Sequence, residues 1–345
     1  MCNHHPVLCI VPPHLLREVL RRGDEMQRQW ALDTLLQTEN LRGQRAVLGE
    51  MLAVAVPAGE KRRTVYDAKH RSAIPGTLVR GEGDPPSSDP EVNEAYDGAG
   101  ATYDLYRDIF QRNSIDNRGL RLDSTVHYGK NYDNAFWNGH QMVYGDGDGK
   151  LFNRFTIALD VIGHELTHGV TQYEAGLVYQ DQPGALNESL SDVFGSLVKQ
   201  FARKESADRA DWLIGQGLLA DGVRGVALRS MKAPGTAYDD KVLGKDPQPA
   251  HMKDYKNVDW DNGGVHINSG IPNHAFYAVA REIGGFAWEK AGQIWYAALH
   301  RFGSNSSFQQ AAGVTAQVAS EKFGHGSLEH KAVRKGWGEV GIKIV

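Results

Sequence analysis

The chain has 345 residues, of which 41% are hydrophobic and 23% are charged, a composition that is ordinary for a globular protein with two domains. The net charge of −4 gives no electrostatic reason to expect binding to nucleic acid or to an anionic membrane. No stretch approaches the roughly 18 apolar residues that a transmembrane helix requires. We expect a monomer without either of these partners.

The N-terminus gives little sign of how the protein would be exported. Both cysteines, Cys2 and Cys9, lie within the first ten residues, so no disulfide framework is expected elsewhere. Either thiol could bind a metal in a latent form, although a reduced thiol without a role is the simpler interpretation. The apolar run at residues 7–11 is shorter than the core of about 7–15 residues in most signal peptides. We expect a cytoplasmic protein or export by a non-classical route.

Residues 1–50 are predicted to form a small helical leader. Pro12 and Pro13 open it, and apolar residues then recur at helical spacing on both sides of a break at residues 23–24. Residues 51–65 contain small apolar residues and a Lys-Arg-Arg cluster, which indicates a connector. Exposed connectors are preferred cleavage sites, so our hypothesis is a latent precursor that removes its own leader.

Residues 66–180 are predicted to form a strand-rich lobe. Short β-branched and aromatic runs alternate with turns, and one helix is inserted at residues 89–110. The glycine- and aspartate-rich stretch at residues 145–149 resembles a calcium loop but lacks the rest of the EF-hand pattern. We therefore predict a tight hairpin turn at that position.

The lobe ends in a helix that carries two histidines four residues apart. His164 and His168 would lie on one face of this helix and could share one metal ion. Glu165 lies roughly 100° round the helix, a poor position for a ligand but a good one for a general base acting on water at the metal. A surface helix with two solvated histidines is the alternative. The apolar neighbours of the motif argue against it, because charged groups are seldom buried without a partner or a metal.

A second helix supplies the carboxylate that such a site requires. Hydrolytic zinc usually has three protein ligands and one position open to water. The second helix is predicted from residue 185, entered by a turn at residues 181–184, and Glu188 and Asp192 lie four residues apart on it. We interpret Glu188 as the third ligand and Asp192 as the acceptor of a ring N–H, most simply that of His164. A solvated acidic face is the alternative.

The remaining chain, within residues 181–345, is predicted to form a helical lobe. Apolar residues recur at helical spacing in four segments separated by Gly and Ser: 271–283, 287–301, 308–323 and 329–340. The fold class is therefore α+β, with two lobes that follow one another along the chain.

In their order along the chain, these motifs resemble those of the thermolysin-like metallopeptidases, from about residue 66 to the C-terminus. The N-terminal segment resembles the short propeptide of the protealysin subgroup, whose Pro-Pro-x-x-Leu-like element is matched by Pro12, Pro13 and Leu15. The resemblance implies a two-lobed thermolysin-like fold with one catalytic zinc ion in the cleft. It also implies that the propeptide acts as an intramolecular inhibitor.

The same resemblance assigns catalytic roles outside the two helices. His266 and Tyr179 would stabilise the oxyanion of the transition state, and Asp261 would fix the tautomer and charge of His266. From the sequence alone, a structural histidine and a hydrogen-bonded core tyrosine remain alternatives.

Six further residues are implied in substrate binding. Ala135 and Trp137 would lend backbone groups to an extended substrate, and Asn134 would hold the incoming amine. Three more residues surround the primed side, where Arg229 would bind a substrate carbonyl and two apolar side chains would line the pocket: Val161 and Leu228. We therefore expect a preference for Leu, Phe or Ile directly after the cleaved bond (P1′).

One departure from the family pattern concerns calcium. Asp160 matches a calcium ligand of the larger relatives, but Lys199, Leu213 and Gln216 stand where further carboxylates would fall. Coordination by several oxygens is therefore not available, calcium dependence is doubtful, and Asp160 is expected to pair with Lys199.

The predicted function is that of a zinc endopeptidase. A zinc aminopeptidase shares the ligand set but needs a carboxylate cluster for the free α-amine, and no such motif precedes His164. A latent zinc-binding module that engages partners without turnover is the other alternative. Glu165 and His266 argue against it, because a binding role does not require them.

Overall fold

The computed structural model of the chain describes residues 8–48 and 60–344. Two helices, α1 (Pro13–Arg22) and α2 (Glu25–Leu48), make the N-terminal region helical, as predicted. Helix α1 begins at Pro13, whose fixed φ and missing N–H suit the first turn of a helix. Cys2 and residues 51–59 of the predicted connector lie outside the described residues.

A six-stranded sheet forms the centre of the first lobe. Its strands are β1 (Leu8–Cys9), β2 (Arg63–Asp67), β3 (Thr77–Arg80), β4 (Leu122–Val126), β5 (Ala135–Trp137) and β6 (Gln141–Tyr144). The order across the sheet is β1-β5-β6-β4-β2-β3, and β2, β4 and β6 run parallel to one another. Strand β1 pairs antiparallel with β5, so the N-terminal region supplies the strand at one edge of the sheet.

The inserted helix, α3 (Pro90–Phe110), matches the predicted segment. Asp89 caps it, because its carboxylate accepts a hydrogen bond of 2.9 Å from the N–H of Glu91.

Two further helices, α4 (Leu159–Tyr173) and α5 (Asp181–Arg203), pack against each other. The predicted turn at residues 181–184 is wrong, since α5 already begins at Asp181. Pro183 is tolerated there because the first four N–H groups of a helix have no partner within it.

The C-terminal lobe is helical, as predicted. Its helices are α6 (Asp261–Asn268), α7 (Gly270–Ile283), α8 (Ala291–Leu299), α9 (Phe308–Phe323) and α10 (Leu328–Glu339). Four short strands, which the sequence pattern did not reveal, form two small sheets before them: β7 (Leu213–Ile214) with β8 (Arg229–Ser230), and β9 (Asp239–Asp240) with β10 (Gly244–Lys245).

The predicted hairpin turn at residues 145–149 is wrong. Strand β6 is flanked in the sheet by β5 and β4, both of which precede it in the chain. The chain turns instead around Asp148, whose Oδ1 accepts three backbone N–H groups, from Lys150, Leu151 and Phe152. An aspartate that satisfies successive amides in this way makes a turn without a partner strand.

Helices α4 and α5 approach each other at glycines. A Cβ atom on Gly195 would lie 2.4 Å from the backbone oxygen of Asp160 and 2.9 Å from the backbone nitrogen of His164. A Cβ atom on Gly163 would lie 3.0 Å from the Cα of Gly195. The backbone of one helix therefore fixes the position of the other, and with it the distance between the histidines of α4 and the carboxylates of α5.

The expected pairing of Asp160 with Lys199 is confirmed. The Lys199 ammonium donates to Asp160 at 2.7 Å, to Asp211 at 2.8 Å and to the Leu213 carbonyl at 2.7 Å. Burial lowers the pKa of Lys199, but the charges of Asp160 and Asp211 outweigh it and raise the pKa above its ordinary value. A protonated lysine thus balances Asp160.

We predict that Gly195→Ala lowers the free energy of unfolding by about 1–3 kcal/mol, because the added methyl group forces α5 away from the α4 backbone. The matched control is Gly313→Ala in α9, where a Cβ atom meets nothing within 4 Å. The control is expected to gain about 0.5–1 kcal/mol from helix propensity. Urea unfolding of both variants measures the difference, and equal stabilities would contradict the proposed close contact.

Candidate active site

The two histidines of α4 face each other. The side chains of His164 and His168 are fully buried, and their Nε2 atoms lie 3.0 Å apart. The opposite nitrogens are held by acceptors: His164 Nδ1–H donates to Asp192 at 2.8 Å, and His168 Nδ1–H donates to Asn187 Oδ1 at 2.8 Å. With the protons on Nδ1, both Nε2 atoms present lone pairs to the same point.

Glu188 adds a third electron-pair donor at that point. Its Oε2 lies 3.5 Å from His164 Nε2, and its Oε1 lies 3.4 Å from His168 Nε2. Glu188 Oε2 is buried and has no hydrogen-bond partner among the described residues. Three lone-pair donors in one dry pocket repel one another unless a cation lies between them. Two imidazole nitrogens and a carboxylate, with both imidazoles oriented from behind, fit zinc.

Glu165 lies beside this cluster and is not part of it. The side chain is fully buried, and its Oε2 accepts a 3.0 Å hydrogen bond from the backbone N–H of Trp137 in β5. The carboxylate therefore reaches from α4 to β5, the strand that pairs with the N-terminal segment. This is the offset that the spacing of one residue from His164 predicts.

His266 is held by the unusual start of α6. Residues 261–264 have positive φ values of 49° to 81°, and this turn lets Asp261 contact His266 twice, at the backbone N–H (3.1 Å) and at Nδ1 (2.6 Å). Burial lowers the pKa of His266, but the charges of Asp261 and Glu188 outweigh it and raise the pKa to about 9. The resulting imidazolium donates from Nε2 to the carbonyl oxygen of Cys9 at 3.1 Å.

Tyr179 lies beside His266 and Glu188. Its hydroxyl oxygen lies 3.2 Å from His266 Nε2 and also makes a short hydrogen bond to Glu188. Burial and the negative charge of Glu188 raise the pKa of Tyr179 well above its ordinary value, so the hydroxyl keeps its proton. Tyr179 and His266 therefore lie side by side next to Glu188.

Arg229, in β8, joins the metal cluster to the N-terminal segment. Its Nε and Nη2 atoms bind both oxygens of Asp192, at 2.8 and 2.7 Å, and its Nη1 donates to the carbonyl of Ile10 at 3.1 Å. Burial lowers the pKa of Arg229, but the Asp192 charge raises it above the ordinary value. A single buried carboxylate thus orients both His164 and Arg229.

The segment before α1 runs across this site. The N–H of Ile10 donates to the carbonyl of Ala135 at 3.2 Å, and the N–H of Val11 donates to Asn134 Oδ1 at 3.0 Å. Together with the carbonyl contacts to His266 and Arg229, these bonds engage four of the groups that the sequence assigned to catalysis or substrate binding. The N-terminal segment therefore lies in the cleft as an extended strand.

The other sequence-predicted residues lie nearby in different ways. The Trp137 N–H donates to Glu165, and Trp137 is the register partner of Leu8 in the pairing of β1 with β5. Val161, Leu228 and Ile10 are all buried in the main hydrophobic core. The leader motif forms the beginning of α1, where Pro12 precedes the helix, Pro13 begins it and the buried Leu15 follows.

Three polar residues of the site were missed by sequence reasoning. Asn187 and Ser191 contact His168 Nδ1, at 2.8 and 2.9 Å, and Asn273 donates to Asp192 at 2.8 Å. The first two are four residues apart, a spacing that the helix rule used for Glu188 and Asp192 would have found. Asn273 lies in α7, and no local pattern connects it to the site.

Comparison with known proteins identifies the family. The model described as "Thermolysin metallopeptidase, catalytic domain" matches residues 58–172, and "Thermolysin metallopeptidase, alpha-helical domain" matches residues 175–342. The chain belongs to the thermolysin metallopeptidase family. The expected family, two-lobed fold and metalloendopeptidase class are thereby confirmed.

Two curated relatives match over nearly their whole length. The "Extracellular metalloprotease" of Pectobacterium carotovorum subsp. carotovorum is 52% identical over 98% of this chain and 97% of that protein. "Protease PrtS" of Photorhabdus sp. (strain Az29) is 48% identical over 97% of this chain and 92% of that protein. The solved precursor of protealysin, a metalloproteinase from Serratia proteamaculans, superimposes with a TM-score of 0.90 at 53% identity, covering 97% of this chain and 99% of that one. These likenesses support the protealysin-like subgroup.

We predict that Asn187→Ala lowers zinc affinity by about 10- to 100-fold, because His168 Nδ1 loses its amide acceptor and is left with the Ser191 hydroxyl, which can also donate and so fixes the tautomer less firmly. Competition with a chromophoric chelator measures the affinity. Asn153→Ala is the control, since Asn153 binds backbone carbonyls of residues 217 and 219 and contacts no histidine. Unchanged affinity in the Asn187 variant would show that this hydrogen bond does not orient the ligand.

Proposed function

We propose that this thermolysin-family chain is a zinc endopeptidase that prefers a bulky apolar residue at P1′ and that is made as a self-processing precursor. The observation that carries the proposal is the convergence of His164, His168 and Glu188 beside Glu165, with an extended peptide segment lying across them. The substrates are the internal bonds of proteins and peptides.

Zinc held by His164, His168 and Glu188 would polarise the scissile carbonyl and activate the attacking water. Glu165 takes the proton of that water. The Trp137 N–H holds the Glu165 carboxylate in place, and the buried surroundings keep bulk water from competing for the proton.

His266 and Tyr179 are proposed to stabilise the oxyanion. The support is the Cys9 carbonyl, a peptide oxygen that lies 3.1 Å from His266 Nε2, beside the Tyr179 hydroxyl. In a comparable oxyanion site the removal of one donor costs about 2.7–4 kcal/mol. Asp261 acts through His266, since it holds the Nδ1 proton and keeps the ring charged.

The path of the leader indicates which side chain the P1′ pocket receives. If the Cys9 carbonyl occupies the oxyanion position, Ile10 follows the cleaved bond. Its N–H binds Ala135, its carbonyl binds Arg229, and its side chain is buried, as are those of Val161 and Leu228. These contacts support a preference for Leu, Phe or Ile at that position.

The leader is proposed to act as an intramolecular inhibitor. It uses Asn134, Ala135, Arg229 and His266, so a substrate cannot bind the same groups while the leader remains in the cleft. We further propose that one zinc ion suffices for catalysis and that calcium is not required, because the Lys199 ammonium already balances Asp160.

Endopeptidase activity is favoured over aminopeptidase activity by the continuity of the cleft. Strand β1 lies on the amino side of Ile10 and pairs with β5 through Leu8 and Cys9, so chain extends past the proposed scissile position. An aminopeptidase would close that side with groups that bind a free amine. The other alternative, a latent zinc-binding module without turnover, is tested by the Glu165 variant below.

Export is proposed from the relatives. The Pectobacterium relative is described as extracellular. Among the helices of the described residues, none is long and apolar enough to cross a membrane.

We predict that Glu165→Gln retains the leader while the wild-type chain loses it, because the variant keeps the zinc ligands but has no base for the water. Intact mass of both proteins, followed over days with and without a zinc chelator, measures this. Wild type in chelator should also stay intact. Leader loss at the wild-type rate in the variant would indicate another protease.

A second prediction concerns His14 in α1, whose Nε2 lies 3.2 Å from the Tyr238 hydroxyl. Its Nδ1 is enclosed and has no hydrogen-bond partner among the described residues. Burial lowers the pKa of His14 from 6.5 to about 4. The charged groups that face it are Asp261 and Glu18, which raise the pKa, and His266 and Arg229, which lower it.

A released leader therefore binds a proton on His14 between pH 6.5 and 4, whereas a docked leader does not. Docking is strongest above pH 6.5 and weakens as the pH falls through this window. Hydrogen exchange of α1 in the Glu165→Gln protein should show loss of protection on acidification. When His14→Gln is added to Glu165→Gln, the protection of α1 should depend less on pH. An equal loss of protection with and without His14→Gln would exclude His14 as the cause.

A further inference from the structure

A second cluster of metal-binding side chains lies in the strand-rich lobe, outside the catalytic site. His70 follows β2, His127 directly follows β4, and Asp146 follows β6. Because these three strands are parallel neighbours, their carboxyl ends meet at one edge of the sheet. Such an edge is where open sheets with parallel strands commonly bind ligands.

The distances within this cluster suit a common ligand. His70 Nδ1 lies 3.1 Å from Asp146 Oδ2, and His127 Nδ1 lies 3.1 Å from Asp146 Oδ1. Ligands about 2.0–2.1 Å from a tetrahedral zinc ion are about 3.3 Å from one another, so only small shifts would admit the ion. The side chain of His70 is 61% exposed, which leaves the cluster open to solvent on one side.

The backbone holds the two histidines in a conformation that they adopt at a cost. His70 and His127 have φ values of 58° and 54°, in the left-handed region, and the His70 N–H donates to the His127 carbonyl at 2.9 Å. Left-handed non-glycine residues are uncommon and occur preferentially at functional sites. Here the conformation brings both imidazoles to the same carboxylate.

The beginning of α3 supplies two more carboxylates. Asp89 Oδ2 lies 2.8 Å from His127 Nε2, and Glu91 Oε2 lies 3.1 Å from His127 Nδ1. When Nε2–H of His127 donates to Asp89, the lone pair of the neutral ring is on Nδ1, which faces the proposed metal position. Carboxylates commonly orient metal-binding histidines in this way. Asp89 therefore orients His127, and Glu91 lies within reach as a further ligand.

We propose that His70, His127 and Asp146, with Glu91 beside them, form a second divalent-cation site of the zinc type. Imidazole ligands favour zinc and similar transition metals over calcium and magnesium. The site shares no residue with the cluster of His164, His168 and Glu188. Its role is structural, since it would join three strand ends to the beginning of α3.

Three acidic side chains surround the ring of His127: Asp89, Glu91 and Asp146. A divalent ion held by the two imidazoles and Asp146 would balance the negative charge of these groups. On metal binding, an Nδ1 proton of His127 would be released to solvent, because only a deprotonated nitrogen can be a ligand.

The test counts zinc in the full-length Glu165→Gln protein, in which the leader is retained. After equilibrium dialysis against zinc, elemental analysis should find about two ions per chain, and about one when His70→Asn is added. Asparagine lacks the imidazole but tolerates the left-handed backbone. His325→Asn, at an exposed histidine of the other lobe, is the matched control and should keep both ions.

Thermal unfolding separates loss of the site from loss of the fold. Without metal, the His70 variant should unfold at the temperature of its parent, and zinc should raise the parent's Tm by at least about 2 °C more than that of the variant. Equal zinc counts in parent and variant would overturn the proposal. The proposal would also be overturned if the parent bound one zinc ion and His70→Asn did not remove it. The cluster would then be a charge network that holds no metal.

Discussion

The site depends on the buried carboxylate of Asp192. Its two oxygens accept from His164, from two nitrogens of Arg229 and from Asn273, which lie on α4, β8 and α7. Burial raises the pKa of Asp192, but the Arg229 charge and the His164 hydrogen bond hold it well below its usual range. The carboxylate therefore stays ionised, and one charge sets both the tautomer of His164, the proposed zinc ligand, and the position of Arg229, the proposed substrate-binding arginine.

The same network would let the leader occupy this site, as the proposed inhibition requires, without moving Arg229. Arg229 uses two nitrogens for Asp192 and a third for the Ile10 carbonyl, so the leader binds the arginine in the orientation that Asp192 has already fixed. In the proposed mechanism a substrate takes over this carbonyl contact and the one at His266. Latent and active forms then differ in what occupies the cleft, and the scaffold of α4 and α5 stays the same.

The sequence predicted those parts of the site that lie within one helix turn. The spacing of four residues identified the pairs His164–His168 and Glu188–Asp192. The same spacing relates Asn187 to Ser191 and would have identified that pair too. Asn273 was missed because it reaches Asp192 from 81 positions away along the chain. The stretch around Asp146 was misread as a hairpin for the same reason, since only the parallel strand order shows that distant histidines meet there.

The most direct test of the central claim is the hydrolysis of internally quenched peptides with blocked ends by the leader-free protein. The peptides should differ only at the P1′ residue, with Leu, Phe, Asp or Lys at that position. We expect cleavage on the amino side of Leu and Phe and little cleavage beside Asp or Lys. We also expect a zinc chelator to abolish the activity and added zinc to restore it. Cleavage that persists without zinc, or the absence of cleavage in zinc-loaded protein, would contradict the proposed function.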